Sequence, residues 1–419
     1  MHYLIRLCVL ACLLPATVAF AALPDASLSL SQAVARVLES NPQLQAADFE
    51  ARAALERVRQ ESQSTPYELG VELENLGGSG ELSGARSLET TLSLGRVLEP
   101  GDKSARRGEV AELEAGLLNH DQDAERLELL AETARRFLAM ARVQAERELA
   151  VQRVELLQRT LQSVEQRQRV GKAPPAERSR VLTELARAEL ALEETAHLLK
   201  IGRHQLAALW GVFEPDFSRV QADLFHLEAE PDFAALDRMI ERNPTIARLA
   251  TRARLGDARL LLARTRARPD LDLRAGVQHF NAGDDVGLML SLRMPLGSGG
   301  RSRAWVNEAE VLAAREPLLA QEQRLALRTT LFALHQELLH ARDRFETYRE
   351  RVIPAADQTL DDYSRGYAAG RYSLLELGEV RNTLLEARLE LLSAATEHHA
   401  ARIEIDRLIG IAPLNGANP

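Results

Sequence analysis

The chain has 419 residues, of which only 4% are aromatic, while Ala, Leu, Glu and Arg make up roughly half, a bias of long helices and coiled coils rather than compact sandwiches or α/β enzymes. Its 52 basic and 61 acidic residues leave a net charge of −9, which is the wrong sign for a nucleic-acid surface. A hydrophobic content of 46% is enough to bury a core, so a disordered chain is excluded as well.

The first 21 residues read as an export leader. Arg6 supplies a positive start, Leu7 to Leu14 a short apolar run, and Ala19-Phe20-Ala21 the small-x-small pattern of a cleavage site after Ala21. The run is well short of the ~20 residues that span a bilayer. Cys8 and Cys12 both lie in this leader, so the mature chain would hold no thiol for disulfides, metal sites or nucleophilic chemistry. Val9-Leu10-Ala11-Cys12 could be taken for a lipobox, but apolar sequence continues past the cysteine, and lipidation of Cys12 is not expected. No later run approaches spanning length, so any membrane insertion has to be by strands.

The remainder is a duplication with a period of about 200 residues. Asn41-Pro42 matches Asn243-Pro244, Leu92-Ser93-Leu94 matches Leu290-Ser291-Leu292, Gly171-Lys172 matches Gly370-Arg371, and Leu209-Trp210-Gly211 matches Leu408-Ile409-Gly410. We place the first repeat at 22–211, a connector at 212–231, the second repeat at 232–411 and a tail at 412–419. Each repeat is expected to run helix, hairpin, very long helix, turn, long helix. The hairpins fall at 66–98 and 270–295, and the long helices at 102–210 and 300–410.

In the opening helices the Asn-Pro pairs lie within one apolar pattern. Residues 104–170 contain no proline, which allows a rod of roughly 100 Å. The counterpart, 301–369, contains Pro317 and Pro354, where kinks or breaks are expected. The last helix of each repeat shows a heptad: Leu185, Leu192, Leu199 and Leu206 in the first, and Leu384, Leu391, His398 and Ile405 in the second. A second row of mostly small residues runs beside each, Val181, Ala188, Thr195, Gly202 and Leu209, and Val380, Ala387, Ala394, Ala401 and Leu408. Such a period imposes coiled-coil packing.

In the hairpins the period changes to two. Leu69, Val71 and Leu73, then Thr90, Leu92 and Leu94, alternate with polar residues, as do Leu271, Leu273, Ala275 and Val277, then Val286, Leu288, Leu290 and Leu292. At about ten residues each strand has the length of a tilted transmembrane strand. Four strands cannot close a barrel, and an open edge in lipid would leave backbone groups unpaired. Several copies sharing one barrel would solve this, with a polar lumen inside and an outer-membrane location. The other reading of the same pattern is a periplasmic coiled-coil scaffold with two soluble hairpins.

With the repeated plan, the two Asn-Pro helices and the hairpin that turns at Gly370 and ends Leu408-Ile409-Gly410, the mature sequence resembles the outer-membrane efflux protein family, the TolC-like exit ducts of tripartite pumps. Glu72-Leu-Glu-Asn-Leu-Gly-Gly78 and Leu92-Ser-Leu-Gly-Arg-Val-Leu-Glu-Pro-Gly-Asp-Lys-Ser-Ala-Arg106 resemble its heavy-metal branch, the outer-membrane components of cobalt–zinc–cadmium systems. That branch usually has two glycines after the strand, where Pro100-Gly101-Asp102-Lys103 keeps one.

The resemblance implies a mainly α protein with a small β part. Duplicated helical hairpins would form a periplasmic α-barrel in a homotrimer, with four strands per protomer in a 12-stranded β-barrel. It also implies a periplasmic adaptor and an inner-membrane pump of the resistance–nodulation–division type as partners, with heavy-metal cations as cargo. Drugs or a secreted polypeptide are the alternative clients.

The resemblance places the periplasmic aperture at the turns around Gly171 and Gly370. Glu376 and Glu379, three apart on one helix face, would form rings of three carboxylates that favour cations. Tyr367 would help hold the aperture shut. The first-repeat equivalents of the two acids are Glu177 and Arg180. On pattern alone, Glu376 and Glu379 are ordinary solvated helix residues.

No catalytic set, cofactor motif or metal site is expected. The sequence has no Gly-rich phosphate loop, nucleophile elbow or His-Glu-x-x-His. His398 and His399 are adjacent and face different ways, with His398 on the heptad seam, and His335 and His340 are five apart. Pro174-Pro175 reads as a helix start.

Overall fold

A computed structural model describes residues 27–412. The export leader, Cys8, Cys12 and nearly all of the tail lie outside the described residues. In chain order the elements are β1 (Ser27–Leu28), α1 (Leu30–Ser40), α2 (Pro42–Glu61), β2 (Tyr67–Glu74), β3 (Glu89–Leu98), α3 (Lys103–Arg169), α4 (Pro175–Ala208), β4 (Arg219–Val220), α5 (Phe233–Met239), α6 (Pro244–Thr265), β5 (Leu271–Phe280), β6 (Asp285–Arg293), α7 (Ser298–Thr347), α8 (Ile353–Ala368) and α9 (Leu374–Leu408). The two hairpins span Tyr67–Leu98 and Leu271–Arg293, each followed by long helices. No helix among the described residues is long and apolar enough to cross a membrane.

The opening helix of each repeat is two helices rather than one. A residue before proline is driven out of the α region, and Asn41 (ψ 123°) and Asn243 (ψ 131°) are extended. Each then caps the helix that follows. Asn41 Oδ1 accepts from the amides of Gln43 (2.8 Å) and Leu44 (3.0 Å), and Asn243 Oδ1 accepts from Thr245 (2.8 Å).

The other end of each amide reaches the close of its own repeat: Asn41 Nδ2 donates to the Leu209 carbonyl (2.6 Å) and Asn243 Nδ2 to that of Leu408 (2.9 Å). Two of the landmarks that reveal the duplication are therefore the two halves of one buried knot. The first knot adjoins the largest core cluster, where Ala33, Val34 and Val37 of α1 meet Phe137 and Met140 of α3, Leu206 of α4, and Trp210 and Phe217. The two-residue parallel pair β1–β4 closes over it, an element the sequence pattern does not announce.

α3 is one uninterrupted helix of 67 residues, about 100 Å long. It packs on α2, α4, α6 and, nearer the turns, α9. Of the two prolines opposite, Pro317 causes no break, since α7 continues through it. Pro354 follows a π-helical segment, Tyr348–Val352. Without an N–H, proline cannot complete the α ladder, and the wider turn ahead of it absorbs the defect. Both heptads form seams. Leu185 and Ala188 bury against Val154 and Leu157 of α3, and Ala401, Ile405 and Leu408 bury against Leu331 and Leu338 of α7.

The four long strands form one antiparallel sheet in the order β2-β3-β5-β6, so the two hairpins join through β3 and β5, and β2 and β6 are open edges. Register aligns the apolar positions across the sheet. Val71, Leu92, Val277 and Leu288 form one row, and Leu69, Leu94, Ala275 and Leu290 the next. Among the described residues nothing covers this face, and Leu288 is 91% exposed. The opposite face carries Glu68, Glu72, Thr91, Ser93, Asp272 and Gln278, and Arg274 reaches across β3 to Glu68 (2.8 Å).

Candidate functional site: the helical turns

Both turns end a long helix in the same way. Gly171 (φ 72°) and Gly370 (φ 74°) take the left-handed conformation. The following amides fold back, Lys172 onto the Arg167 carbonyl and Arg371 onto that of Gly366, each at 2.8 Å. This is the Schellman geometry, in which glycine avoids the Cβ clash. The helices after the turns start differently. α4 begins at Pro175, as its fixed φ favours. α9 begins with a capping box, in which the Glu376 amide donates to Ser373 Oγ (3.2 Å) and Glu376 Oε2 accepts from the Ser373 amide and hydroxyl, both at 2.8 Å.

These hydrogen bonds hold the Glu376 carboxyl below its ordinary range, so it remains an anion near neutral pH. Glu376 therefore starts its own helix as well as carrying a charge, a role the spacing Ser-x-x-Glu already signals. Glu379 lies on the same side, and both are exposed, while Leu374, Leu377, Arg381 and Leu384 fill the opposite side of α9.

Tyr367 and Glu177 come together where the two turns meet. Tyr367, in the last turn of α8, packs beside Leu161, Val164, Ala173, Val181 and Leu374, and the Arg167 guanidinium lies 4.5 Å over its ring. Burial, with the nearby Glu177 carboxylate adding to it, raises the phenol pKa. The Tyr367 hydroxyl and Glu177 Oε2 are both buried without a hydrogen-bond partner among the described residues. The structure thus groups Gly171, Glu177, Tyr367 and Gly370 at one seam, with Glu376 and Glu379 on a separate, solvated face.

Arg381 belongs to the same seam and was missed by the sequence reading. Its Nη1 donates to Thr160 Oγ1 of α3 (2.9 Å), tying the second helical hairpin to the first. Desolvation lowers its pKa, and it makes no ion pair among the described residues, although Glu184 and Asp357 line the same cavity of about 190 Å³. A signal existed: the first-repeat counterpart of Arg381 is Leu182, so a guanidinium stands where the repeat has an apolar residue.

Three histidines sit within the helical packing. His398 is 3% exposed on the α9 seam, where burial lowers its pKa to about 4. His399 bonds to the Leu224 carbonyl (3.1 Å) and His335 to that of Pro231 (3.2 Å). Among the described residues no three His, Cys, Asp or Glu side chains converge as a metal site.

Comparison with known proteins fits this architecture. The sequence profile of a family described as "Outer membrane efflux protein" matches residues 33–212 and 235–411, which are the two repeats. The cobalt-zinc-cadmium resistance protein CzcC of Cupriavidus metallidurans is 26% identical over 325 residues, 77% of each chain. The solved structure of CusC superposes with a TM-score of 0.77 at 16% identity, over 91% of this chain and 92% of that one. The outer membrane protein VceC of Vibrio cholerae gives 0.75 at 17%, over 91% and 96%. These two likenesses establish a shared fold.

Proposed function

Because the chain belongs to the outer membrane efflux protein family, we propose that three copies of it form the exit duct of a tripartite efflux system that carries heavy-metal cations. The outer-membrane channel role and a large periplasmic portion come with the family. The trimer, the adaptor, the pump and the cargo are the further reading.

The observation that carries it is the pair of surfaces a single chain leaves unfinished. The sheet exposes its apolar face and has two open edges, which in lipid requires closure with other strands. One flank of α7 exposes Val311, Leu318, Leu325 and Phe332, a strict heptad that stays exposed although Phe332 meets Phe233 of α5 edge-on. Phe49 and Leu55 are exposed on α2, at the opposite edge of the helical layer. A heptad stripe wants a facing helix. Joining the α7 edge of one copy to the α2 edge of the next is a head-to-tail contact, and it closes as a ring. In that ring β6 of one protomer lies beside β2 of its neighbour, which also satisfies the sheet edges. Replacing Leu318 and Leu325 together by Glu is expected to abolish the trimer, measured as the mass of the detergent-extracted assembly. A trimer of unchanged stability would rule out this packing.

For the cargo, support comes from the cobalt-zinc-cadmium relative and from the exposed acidic face at the start of α9. Glu376 and Glu379 are exposed carboxylates on one face, and threefold repetition would stack them as two anionic rings, which concentrate cations. Glu376→Gln with Glu379→Gln is a clean test, because glutamine at the third helical position retains the capping box. Cation conductance and cation-over-anion selectivity in planar bilayers are expected to fall severalfold, and unchanged selectivity would remove the rings from the account. A strain lacking the gene should become sensitive to zinc, cadmium or cobalt salts. Sensitivity confined to drugs would transfer the duct to the other client class.

A further inference from the structure

The helical end of the sheet is where strands hand over to helices, and the two repeats build it differently. In the first repeat the basic residues that open α3 are neutralised: Lys103 pairs with Asp270 (2.7 Å), Arg106 with Glu109 (2.7 Å) and Arg107 with Glu99 (2.6 Å). In the second, Arg264, Arg266 and Arg268 close α6, and Arg301 and Arg303 open α7, with no acidic residue in 258–269 or 286–307. All five are exposed, and among the described residues none of them makes an ion pair.

The fold brings the two segments together. Ser298 Oγ donates to the Ala267 carbonyl (3.0 Å). The Arg266 guanidinium stacks 4.0 Å from the ring centroid of Trp305. Arg266 and Arg301 then line, with Pro295, Leu296, Ser302 and Trp305, an open hollow of about 280 Å³. Leu292, Met294 and Leu296, all exposed, carry the apolar side of β6 down into it. In the first repeat, at the same end of the sheet and on the same apolar face, Tyr67 and Arg96 are cross-strand partners with the guanidinium 5.0 Å over the ring. Aromatic rings at this height mark the level of lipid headgroups.

We propose that the hollow holding Arg266, Arg301 and Trp305 binds the phosphate of an anionic glycerophospholipid in the membrane leaflet that meets the helical end of the sheet, its acyl chains lying along Leu292 and Leu296. This inference rests on the reading that the apolar sheet face meets hydrocarbon. Uncompensated guanidinium charge at the foot of an apolar wall matches a ligand that is anionic at one end and greasy at the other. A soluble anion would satisfy only the first half, and a zwitterionic headgroup brings a competing ammonium. The arginine forks suit phosphate oxygens, and Trp305 holds Arg266 in place by its stacked face.

The test uses the intact detergent-purified assembly in native mass spectrometry, titrated with phosphatidylglycerol or phosphatidylcholine of the same acyl composition. The wild type is expected to retain phosphatidylglycerol at least tenfold better. R266Q combined with R301Q should erase that preference, at about fivefold per arginine near a membrane surface, while leaving phosphatidylcholine retention and assembly mass unchanged. Equal retention of the two lipids by the wild type overturns the proposal whether or not the double variant assembles. Displacement of phosphatidylglycerol by millimolar inorganic phosphate alone would reduce the hollow to an anion site and overturn the lipid assignment. Wild-type protein that inserts into vesicles without headgroup preference defeats this site only, whereas failure to insert at all defeats the membrane reading beneath it.

Discussion

Asn41→Ala is expected to destabilise the folded chain by about 2–4 kcal/mol, and Asn243→Ala by about as much. Each side chain does two jobs at once. Its oxygen caps a helix, a contribution of about 1 kcal/mol, and its Nδ2 satisfies a buried backbone carbonyl of Leu209 or Leu408. Leaving such an acceptor unpaired costs about 1–3 kcal/mol more. Asn41→Asp keeps the cap but sets a carboxylate against the Leu209 carbonyl, so it should not rescue. Ser29→Ala is the contrast, since it removes a capping box at an exposed site and should cost only about 1 kcal/mol. The measurement is the urea midpoint of the assembled protein for each variant. Gly410→Ala should resemble the asparagine variants, because φ is 76° there and a Cβ would lie 2.9 Å from the Arg242 carbonyl oxygen. Equal midpoints for Asn41→Ala and Ser29→Ala would show that burial of the knot adds nothing.

What the sequence made legible was whatever repeats with a period. The two-residue alternation in β2, β3, β5 and β6 and the seven-residue rows of α4 and α9 are sums over many weak preferences, which is what makes them readable along the chain. Contacts that depend on one atom meeting another far along the chain left no such trace. The pairs Asn41–Leu209 and Asn243–Leu408 appeared as two separate landmarks of the duplication, and only the structure joins the two within each repeat. Glu376 lies in a Ser-x-x-Glu pattern, so one carboxylate both caps its helix and carries an exposed charge. Arg381 and the exposed α7 stripe were both readable in principle. One breaks the repeat and the other keeps a heptad through Pro317, where proline suggested an interruption. The two prolines fare differently: Pro354 is preceded by a π turn that accommodates it, whereas α7 carries Pro317 without one.

Leu288→Arg and Leu290→Arg offer the largest contrast between the duct and a soluble scaffold, because the two predict opposite results at the same atoms. In the isolated chain both leucines stand free on β6, Leu288 91% and Leu290 76% exposed. If that face met water, an arginine at either position would change stability by no more than about 0.5 kcal/mol and would improve solubility. If it meets hydrocarbon, each arginine near the bilayer midplane costs about 2–4 kcal/mol, and a ring of three protomers pays it three times over. The double variant should therefore disappear from the outer-membrane fraction as a heat-resistant assembly. Met289→Gln lies between them on the other face of the same strand and should insert normally, which separates a lipid-contact effect from general damage to β6. β6 is an open edge in one chain, so its pairing with a neighbour and its exposure to lipid are tested together. A double variant that still forms heat-resistant trimers in the membrane would mean that this face is covered by something other than hydrocarbon.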